Sequence, residues 1–465
     1  MRQAQATTKI ESLNAQAQGV AHLNGKCIFV PGALPGERIE GELIKSSKSY
    51  DVYRVLERQS TSPDRRIPFC AHYRRCGGCQ MQHMSYEATL IHKRQQVVDV
   101  MKRIGGISEA DALCTNCLGL DLQAGDMLPG LHYRNKVVYA IERQRGRVEL
   151  GFYQARSHRL VPIDACSIHF PCFDRLAAQF RDFLEQQRAS IYDESKKRGC
   201  FRKLMIRRSR ATGELLVCVV GQETLPSKLR RALIDCLLAC ELGQGERLAS
   251  IYYNRQPAHD NRIFGEKFEK LYGLDAIEDE LLGLHFRLSP ASFFQVNAYQ
   301  TEILYRQALD LLDIHAGETA FDLYCGTGTL SLMMASTGAE VHGVEIVPEA
   351  VRDARENAKR NRLSQVHFHE GASEEVLGRL LASGVVADCL MIDPPRKGAE
   401  PSLIRDILQL APRKMVYISC HPATQARDLK LLLAAGSYQL EKIVPVDMFP
   451  WTAHVETVCL MSRKV

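Results

Sequence analysis

The chain has 465 residues, 45% hydrophobic and 25% charged, with a formal net charge of +6. This is an ordinary globular composition, long enough for about three domains, and its mild basicity permits a polyanionic partner without requiring one. No run resembles a membrane span, and Met1-Arg2-Gln3-Ala4-Gln5-Ala6 has no apolar signal core, so no membrane association and a cytoplasmic location are expected.

From about Lys9 to Arg58 the pattern is one of short strands punctuated by Pro31-Gly32 and Pro35-Gly36. No helical period persists, so a small OB-like β-barrel is expected, a fold that often binds oligonucleotides. Lys45, Lys48, Arg54, Arg58, Arg65 and Arg66 cluster near its end, either as a nucleic-acid patch or as a solvated face. A polar linker, Thr61 to Phe69, leads to Cys70-x5-Cys76-Gly77-Gly78-Cys79. Met84 to Ile104 then reads as a helix. Leu131 to Val161 is β-rich, and the helical stretch Asp174–Gln186 is followed by the strand-like Leu215–Val220. This middle region is mixed α+β.

From Leu284 onward strand and helix alternate. Glu318–Leu323, Glu340–Glu345, Val366–His369, Asp388–Ile392 and Lys414–Ser419 read as strands, and Pro348–Asn361 as one of the helices between them. Repeated β-α units imply a doubly wound, Rossmann-like parallel sheet. The expected fold class is therefore multidomain α/β: a β-barrel over residues 1–60, a central α+β domain over 61–280 and an α/β domain over 281–465.

Sixteen cysteines are many for such a chain. In a reducing compartment they are not a disulfide framework but metal ligands, catalytic groups or core residues. Cys27, Cys218, Cys236, Cys240, Cys389 and Cys459 lie in apolar runs and read as core.

Asp322-x-x-Cys325-Gly326-x-Gly328 follows a strand and opens a helix, and Glu345 ends the next strand about 20 residues on, the spacing of a carboxylate that holds ribose hydroxyls. The loop lacks the third glycine of a dinucleotide fingerprint and the Lys-Ser/Thr of a P-loop, which favours S-adenosylmethionine over NAD or ATP. The competing reading is a structural turn with a surface glutamate. Asp393-Pro394-Pro395 ends a later strand and should face the same crevice.

Cys420 ends a strand and Pro422 opens the next helix. A thiol there is expected to feel the helix's partial positive charge, which lowers its pKa and makes it a nucleophile. Glu456 follows Met448-Phe449-Pro450 and His454 on what reads as a final hairpin, and partial burial would suit it to proton abstraction. The competing reading makes His454 and Glu456 an ordinary polar pair. A thiolate and a base beside a methyl donor are what C5 methylation of uracil needs. The ring carbon becomes nucleophilic only after a thiolate adds to C6, and a base must then remove the C5 proton.

These segments together resemble the RNA (uracil-5-)-methyltransferase family, and within it the iron–sulfur, TRAM-domain branch that modifies 23S ribosomal RNA. Ser419-Cys420-x-Pro422-Ala423-Thr424 resembles the family's nucleophile motif and Met448-Phe449-Pro450-x-Thr452-x-His454-x-Glu456 its proton-acceptor motif. Residues 5 to about 60 resemble the TRAM barrel, and Tyr133-Arg134-Asn135-Lys136 a segment that follows the cysteines. The resemblance implies that Gln295, Tyr324, Thr329, Glu345 and Asp393 line the S-adenosylmethionine site. Pro395, where many members of the ribosomal branch have alanine, and Trp451, the single tryptophan, are departures.

Cys70, Cys76 and Cys79 are soft ligands on a Gly-Gly turn. Spacing alone leaves an iron–sulfur cluster and zinc, with His72 or His83 joining, equally open. The resemblance implies a [4Fe-4S] cluster with Cys166 as fourth ligand; Cys172 is the rival. Cys114-x-x-Cys117 is a further pair with no counterpart in the family. RNA is the expected partner of a monomer, with Arg134, Lys136 and the run Arg202-Lys203 to Arg207-Arg208 as phosphate contacts. A tRNA uridine methyltransferase, a cytosine-5 enzyme sharing the thiolate logic and a non-catalytic RNA-binding factor are the alternatives. A radical enzyme would space its cysteines C-x3-C-x2-C.

Overall fold

The computed structural model describes residues 5–120, 130–258, 260 and 262–464. Six strands come first: β1 (Gln5–Lys9), β2 (Ser12–Leu13), β3 (Gln18–Leu23), β4 (Lys26–Pro31), β5 (Arg38–Ser46) and β6 (Tyr50–Arg58). Their order is β1-β5-β6-β4-β3-β2. β1 and β2 are halves of one extended segment, paired with β5 on one side and β3 on the other, so the sheet closes on itself as a barrel. Alternate residues point inward, and Ile10, Ala21, Ile28, Val30, Ile39 and Tyr53 form a small core. Buried Glu37 accepts from Arg65 and lies 3.5 Å from Arg58, which ties the barrel to the segment that follows it.

The central sheet comprises β7 (Lys136–Gln144), β8 (Arg147–Tyr153), β9 (Leu160–Pro162), β10 (Phe201–Arg208), β11 (Glu214–Gly221), β12 (Arg247–Arg255) and β13 (Lys267–Gly273), in the order β13-β12-β11-β10-β7-β8-β9. The helices Pro171–Gln186 and Ser227–Leu238 cover one face, burying Phe173, Leu176, Phe180 and Leu233 against Val137, Leu204 and Val217. Met205, Leu216, Cys218 and Tyr252 belong instead to a core shared with the C-terminal domain. A short hairpin, β14 (Ile277–Leu281) with β15 (Leu284–Leu288), joins the two.

The C-terminal sheet holds β16 (Thr319–Leu323), β17 (Glu340–Glu345), β18 (Val366–Glu370), β19 (Cys389–Ile392), β20 (Lys414–Ser419), β21 (Tyr438–Val446) and β22 (Glu456–Arg463), in the order β18-β17-β16-β19-β20-β22-β21. The first five are parallel, as the alternation of elements predicts. β21 and β22 form the final hairpin expected before Glu456, antiparallel because a short loop can join only antiparallel neighbours. Its second strand inserts antiparallel beside β20, which the alternation of elements does not predict.

Both faces of this sheet are buried, which is why its strands are continuously apolar. Ala320, Met391, Val416, Ile418 and Val458 face the helix Ala298–Leu312. Their neighbours Phe321, Ile392, Met415, Tyr417 and Cys459 face the other layer. The helix Tyr86–Arg103 lies in that second layer, with Val97, Val98 and Met101 in its core. Cys114 and Cys117 are buried there too, and Cys114 bridges Ile443, so this pair packs as core. Among the described residues no helix is long and apolar enough to cross a membrane.

The central sheet is fastened to the C-terminal domain by Arg207, which is 2% exposed and donates to the carbonyls of Ser289 (2.9 Å) and Ser292 (2.5 Å). Substituting Arg207→Met leaves both carbonyls without their charged donor. A loss of about 3 kcal/mol of unfolding free energy is expected in denaturant titration.

Candidate active site

The carboxyl edge of the C-terminal sheet gathers the expected catalytic residues. β20 and β22 pair in a register that sets Ser419 opposite Thr457. Cys420 follows Ser419 and Glu456 precedes Thr457, so both lie at this edge, close enough for Glu456 to act on the thiol. Ile392 pairs with Tyr417 and with Leu323, so Asp393 and Tyr324 leave their strands at the same edge. Antiparallel insertion of β22 thus brings together two groups that lie far apart in the chain.

Glu456 is 4% exposed. Burial, with Asp393 adding to it, pushes its carboxyl up to about 8, against a smaller opposing pull from Arg396. The Cys420 thiol is also pushed up rather than down, first by burial and then by Glu456 and Asp393; Arg396 opposes this. This corrects the expectation of a thiol acidified by its helix. The helix Pro422–Ala434 is capped by His421, whose Nδ1 accepts from Thr424 N at 3.3 Å. Cys420 stands outside the cap, where desolvation and two carboxyls govern it.

A crevice opens beside them, lined by Phe293, Gln295, Tyr305, Asp322, Tyr324, Thr329 and Asp393 among others. It brings Gln295, Tyr324, Thr329 and Asp393 together as expected. Glu345 lies behind the glycine loop, and its two carboxylate oxygens accept from Gly326 N (3.0 Å) and Val347 N (2.8 Å). Gly328 has φ +80°, and a Cβ there would meet the Phe368 ring at 2.7 Å, so only glycine lets the loop turn into the helix Thr329–Ala335. Tyr324 adopts φ +65° and its hydroxyl donates to Glu374 (2.9 Å).

Tyr305 and Phe293 are lining residues that sequence reading did not single out, and Asp322 was read there only as the head of the glycine loop. Asp322 accepts from Ser331 Oγ through Oδ2 (2.5 Å), while its buried Oδ1 has no partner. Burial raises Asp322 to about 7, with Asp393 and Glu345 adding to it, and burial alone raises Asp393 to about 7. The place of Asp322 at the head of the glycine loop was the available signal. Two carboxyls, those of Asp322 and Asp393, line the crevice, with Glu345 near the first and Glu456 near the second. Such a site repels phosphates and attracts a cation.

The cysteine set converges without forming a metal-ligand group. Cys79 and Cys166 pack against one cluster of Tyr86, Tyr133, Ile168 and Trp451. Burial pushes both thiols up to about 12, and each is raised further by other members of the set, Cys70 among them. Gly77 permits a close backbone approach, since a Cβ there would lie 2.8 Å from Ala155 N. Yet among the described residues no three His, Cys, Asp or Glu are placed to hold one metal ion. Gly78 N donates to the Cys76 sulfur, and Cys166 lies close enough to Cys79 and Cys70 to be acted on by both. Cys172 is buried in the central core, apart from this set.

Most of the expected phosphate contacts are committed elsewhere. Arg202 donates to the carbonyls of Gln256 and Ala258, Arg207 serves the interdomain contact described above, and Arg208 binds Glu246 at 3.0 Å. Lys136 is half-buried over the Phe264 ring, and burial lowers it to about 7. In the barrel, Arg54 pairs with Glu42. A basic cleft of about 560 Å³ remains between the barrel and the cysteine segment, walled by Leu56, Arg58, Arg65, Tyr73 and Arg74 among others.

Residues 274–464 match the family described as tRNA (uracil-5-)-methyltransferase. The chain is 40% identical to an RNA methyltransferase of Halalkalibacterium halodurans, over 98% of this chain and 96% of that protein. It is 39% identical to an RNA methyltransferase of Listeria innocua, over 98% and 97% respectively. Its structure is similar, with a TM-score of 0.75 and 26% identity, to the tRNA (uracil-54, C5)-methyltransferase of Pyrococcus abyssi solved with S-adenosyl-L-homocysteine; the match covers 98% of this chain and 99% of that one.

The carboxyl-lined crevice predicts a linkage between charge and protons. Asp322 and Asp393, at about 7, are largely protonated at pH 6, and a cationic ligand favours their ionised forms. Affinity for a cationic ligand should therefore rise from pH 6 to pH 8, with protons released on binding. A neutral isostere should show neither effect in calorimetry.

Proposed function

The chain belongs to the RNA (uracil-5-)-methyltransferase family, and on that premise we propose that it methylates C5 of a uridine in 23S ribosomal RNA with S-adenosylmethionine as donor. The observation that carries the reading is that Cys420, just past the end of β20, and Glu456, at the start of β22, meet at one sheet edge close enough for Glu456 to act on the thiol, near a crevice lined by Asp322 and Asp393. The sulfonium and ammonium charges of S-adenosylmethionine suit Asp322 and Asp393, and Glu345 retains lone pairs for a ribose. When bound, the donor supplies an electrophilic methyl group.

The chain's own residues do the rest. The Cys420 thiolate adds to C6 of the uracil, and the ring electrons gather toward C5. C5 takes the methyl group, leaving a saturated C5–C6 bond. Glu456 then removes the C5 proton, and the C6–S bond breaks to restore the ring and release the thiolate. Burial and, after it, Glu456 and Asp393 raise the thiol, and Arg396 opposes them. A uridine must leave its stack to reach this edge, and Phe293, 67% exposed at the crevice mouth, offers a ring on which it can lie. The basic cleft beside Arg74 and Tyr73 supports contacts to flanking RNA.

Two features support the ribosomal branch: the N-terminal barrel, and the proximity of Cys70, Cys76, Cys79 and Cys166, of which Cys79 and Cys166 pack against one aromatic cluster. The thiols fit a soft metal centre by their chemistry, and these four would hold a [4Fe-4S] cluster in a structural role. The likeness to the Pyrococcus enzyme favours tRNA as the second reading. Mapping 5-methyluridine in ribosomal and transfer RNA, from cells with and without the gene, separates them. Loss of a ribosomal site supports the first reading, and loss of a tRNA site alone replaces it.

Glu456→Gln should leave donor binding intact and accumulate methylated RNA bound covalently to the protein, visible as a retarded band on denaturing gels. In the wild type the rate should rise with pH up to about 8 as Glu456 ionises, and Glu456→Gln should lose that dependence. Separately, Cys79→Ser protein purified without oxygen should lose bound iron and visible absorbance. Unchanged metal content, or zinc in place of iron, contradicts the cluster assignment.

A further inference from the structure

The segment 447–455, which joins β21 to β22 and delivers Glu456, has no regular structure of its own. Four consecutive carbonyls in it each accept from a different part of the chain. Met448 O accepts from Asn297 Nδ2 (3.0 Å), Phe449 O from Lys93 Nζ (3.1 Å) and Pro450 O from Tyr133 OH (3.4 Å). Trp451 O accepts from the backbone N–H groups of both Gln80 and Met81 (3.0 Å each). Gln80 also accepts from Ala453 N through its side-chain oxygen (3.2 Å). Lys93 is ion-paired with Asp447, and both side chains are fully buried.

This is more restraint than a surface hairpin requires. Trp451 is held at φ +67°, a conformation that bulky residues avoid unless their surroundings enforce it. Its ring is buried against Phe69 and Tyr86, with centroids 5.3 and 5.4 Å away. An unpaired buried charge is costly, so Lys93 fixes where Asp447 stands. Asp447 N, donating to Leu118 O (2.8 Å), fixes the entry to the segment. Apart from Asn297, and Thr452 within the segment, whose hydroxyl also donates to Phe449 O (2.8 Å), the side chains that hold these carbonyls come from before residue 134, outside the C-terminal domain whose reaction they frame. Gln80 directly follows Cys79, so the cysteine-bearing segment is joined mechanically to the segment that carries the base.

We propose that Lys93 and Gln80 are positioning residues for proton abstraction. They hold the 447–455 segment so that Glu456 faces C5 of the methylated uracil, and they act on the elimination step rather than on donor or RNA binding. The proposal rests on the reading of Glu456 as the base.

The test uses the full-length protein and its RNA substrate, with Glu456→Gln as reference. In single turnover, Lys93→Met and Gln80→Ala should accumulate the methylated covalent adduct at least about tenfold over wild type. Affinity for S-adenosylmethionine and for RNA should stay within about twofold. Lys93→Arg, which keeps a donor for Phe449 O, and Gln80→Glu, which keeps an acceptor for Ala453 N, should restore turnover.

If Lys93→Met does not fold, the paired Lys93→Met/Asp447→Leu variant removes both buried charges; Gln80→Ala disturbs no buried ion. Folded variants that lose turnover without an adduct surplus, or that lose donor affinity to the same degree, overturn the proposal. If Glu456→Gln itself yields no adduct, the reading of the base fails first, and the proposal fails with it.

Discussion

The structure turns on a conflict at one carboxyl group. Glu456 must be a base in the proposed reaction, yet it stands where burial and the neighbouring Asp393 favour its proton. An exposed carboxylate would be a weak base with a pKa near 4. Raising it brings its proton affinity close to what C5 abstraction at neutral pH needs. The same surroundings hold the Cys420 thiol neutral. Both groups therefore depend on what enters the crevice: a cation beside Asp393 and Asp322 weakens the negative field and shifts both toward their reactive forms.

Much of this was legible in the sequence because the relevant signals are local. The β17 and β20 bounds match their apolar runs, Glu340–Glu345 and Lys414–Ser419, and the helix expected from Pro348 ends at Arg360. Alternation of buried residues, Ala320 against Phe321 and Val416 against Tyr417, gave each strand two covered faces. Gly328 marked the cofactor loop because no other residue fits its φ and its contact with Phe368.

What sequence reading missed depends on long-range contacts. The insertion of β22 between β20 and β21 leaves no local mark. The placing of the helix Tyr86–Arg103 on the C-terminal sheet rests on contacts across more than half the chain. Charge patterning also misled: Arg202, Arg207 and Arg208 read as a phosphate-binding run, but a β-strand sends alternate side chains to opposite faces, and each guanidinium met a carbonyl or carboxylate within the fold. Cys420 was placed correctly, but its acidity was not. The helix end could be read from Pro422, whereas the carboxyls facing the thiol come from β22 and the loop after β19.

The architecture divides the work between scaffolds. The C-terminal sheet aligns Cys420, Glu456 and the crevice along one edge, and the barrel and cysteine segment brace that edge from outside. The central claim is that Cys420 sulfur bonds transiently to uracil C6. Incubating the protein with S-adenosylmethionine and RNA carrying 5-fluorouridine at the target replaces the proton that Glu456 must remove with a fluorine it cannot. Peptide mass spectrometry of the trapped complex should then place the nucleotide on Cys420. A linkage at another residue, or continued methylation by Cys420→Ser protein, would contradict the account.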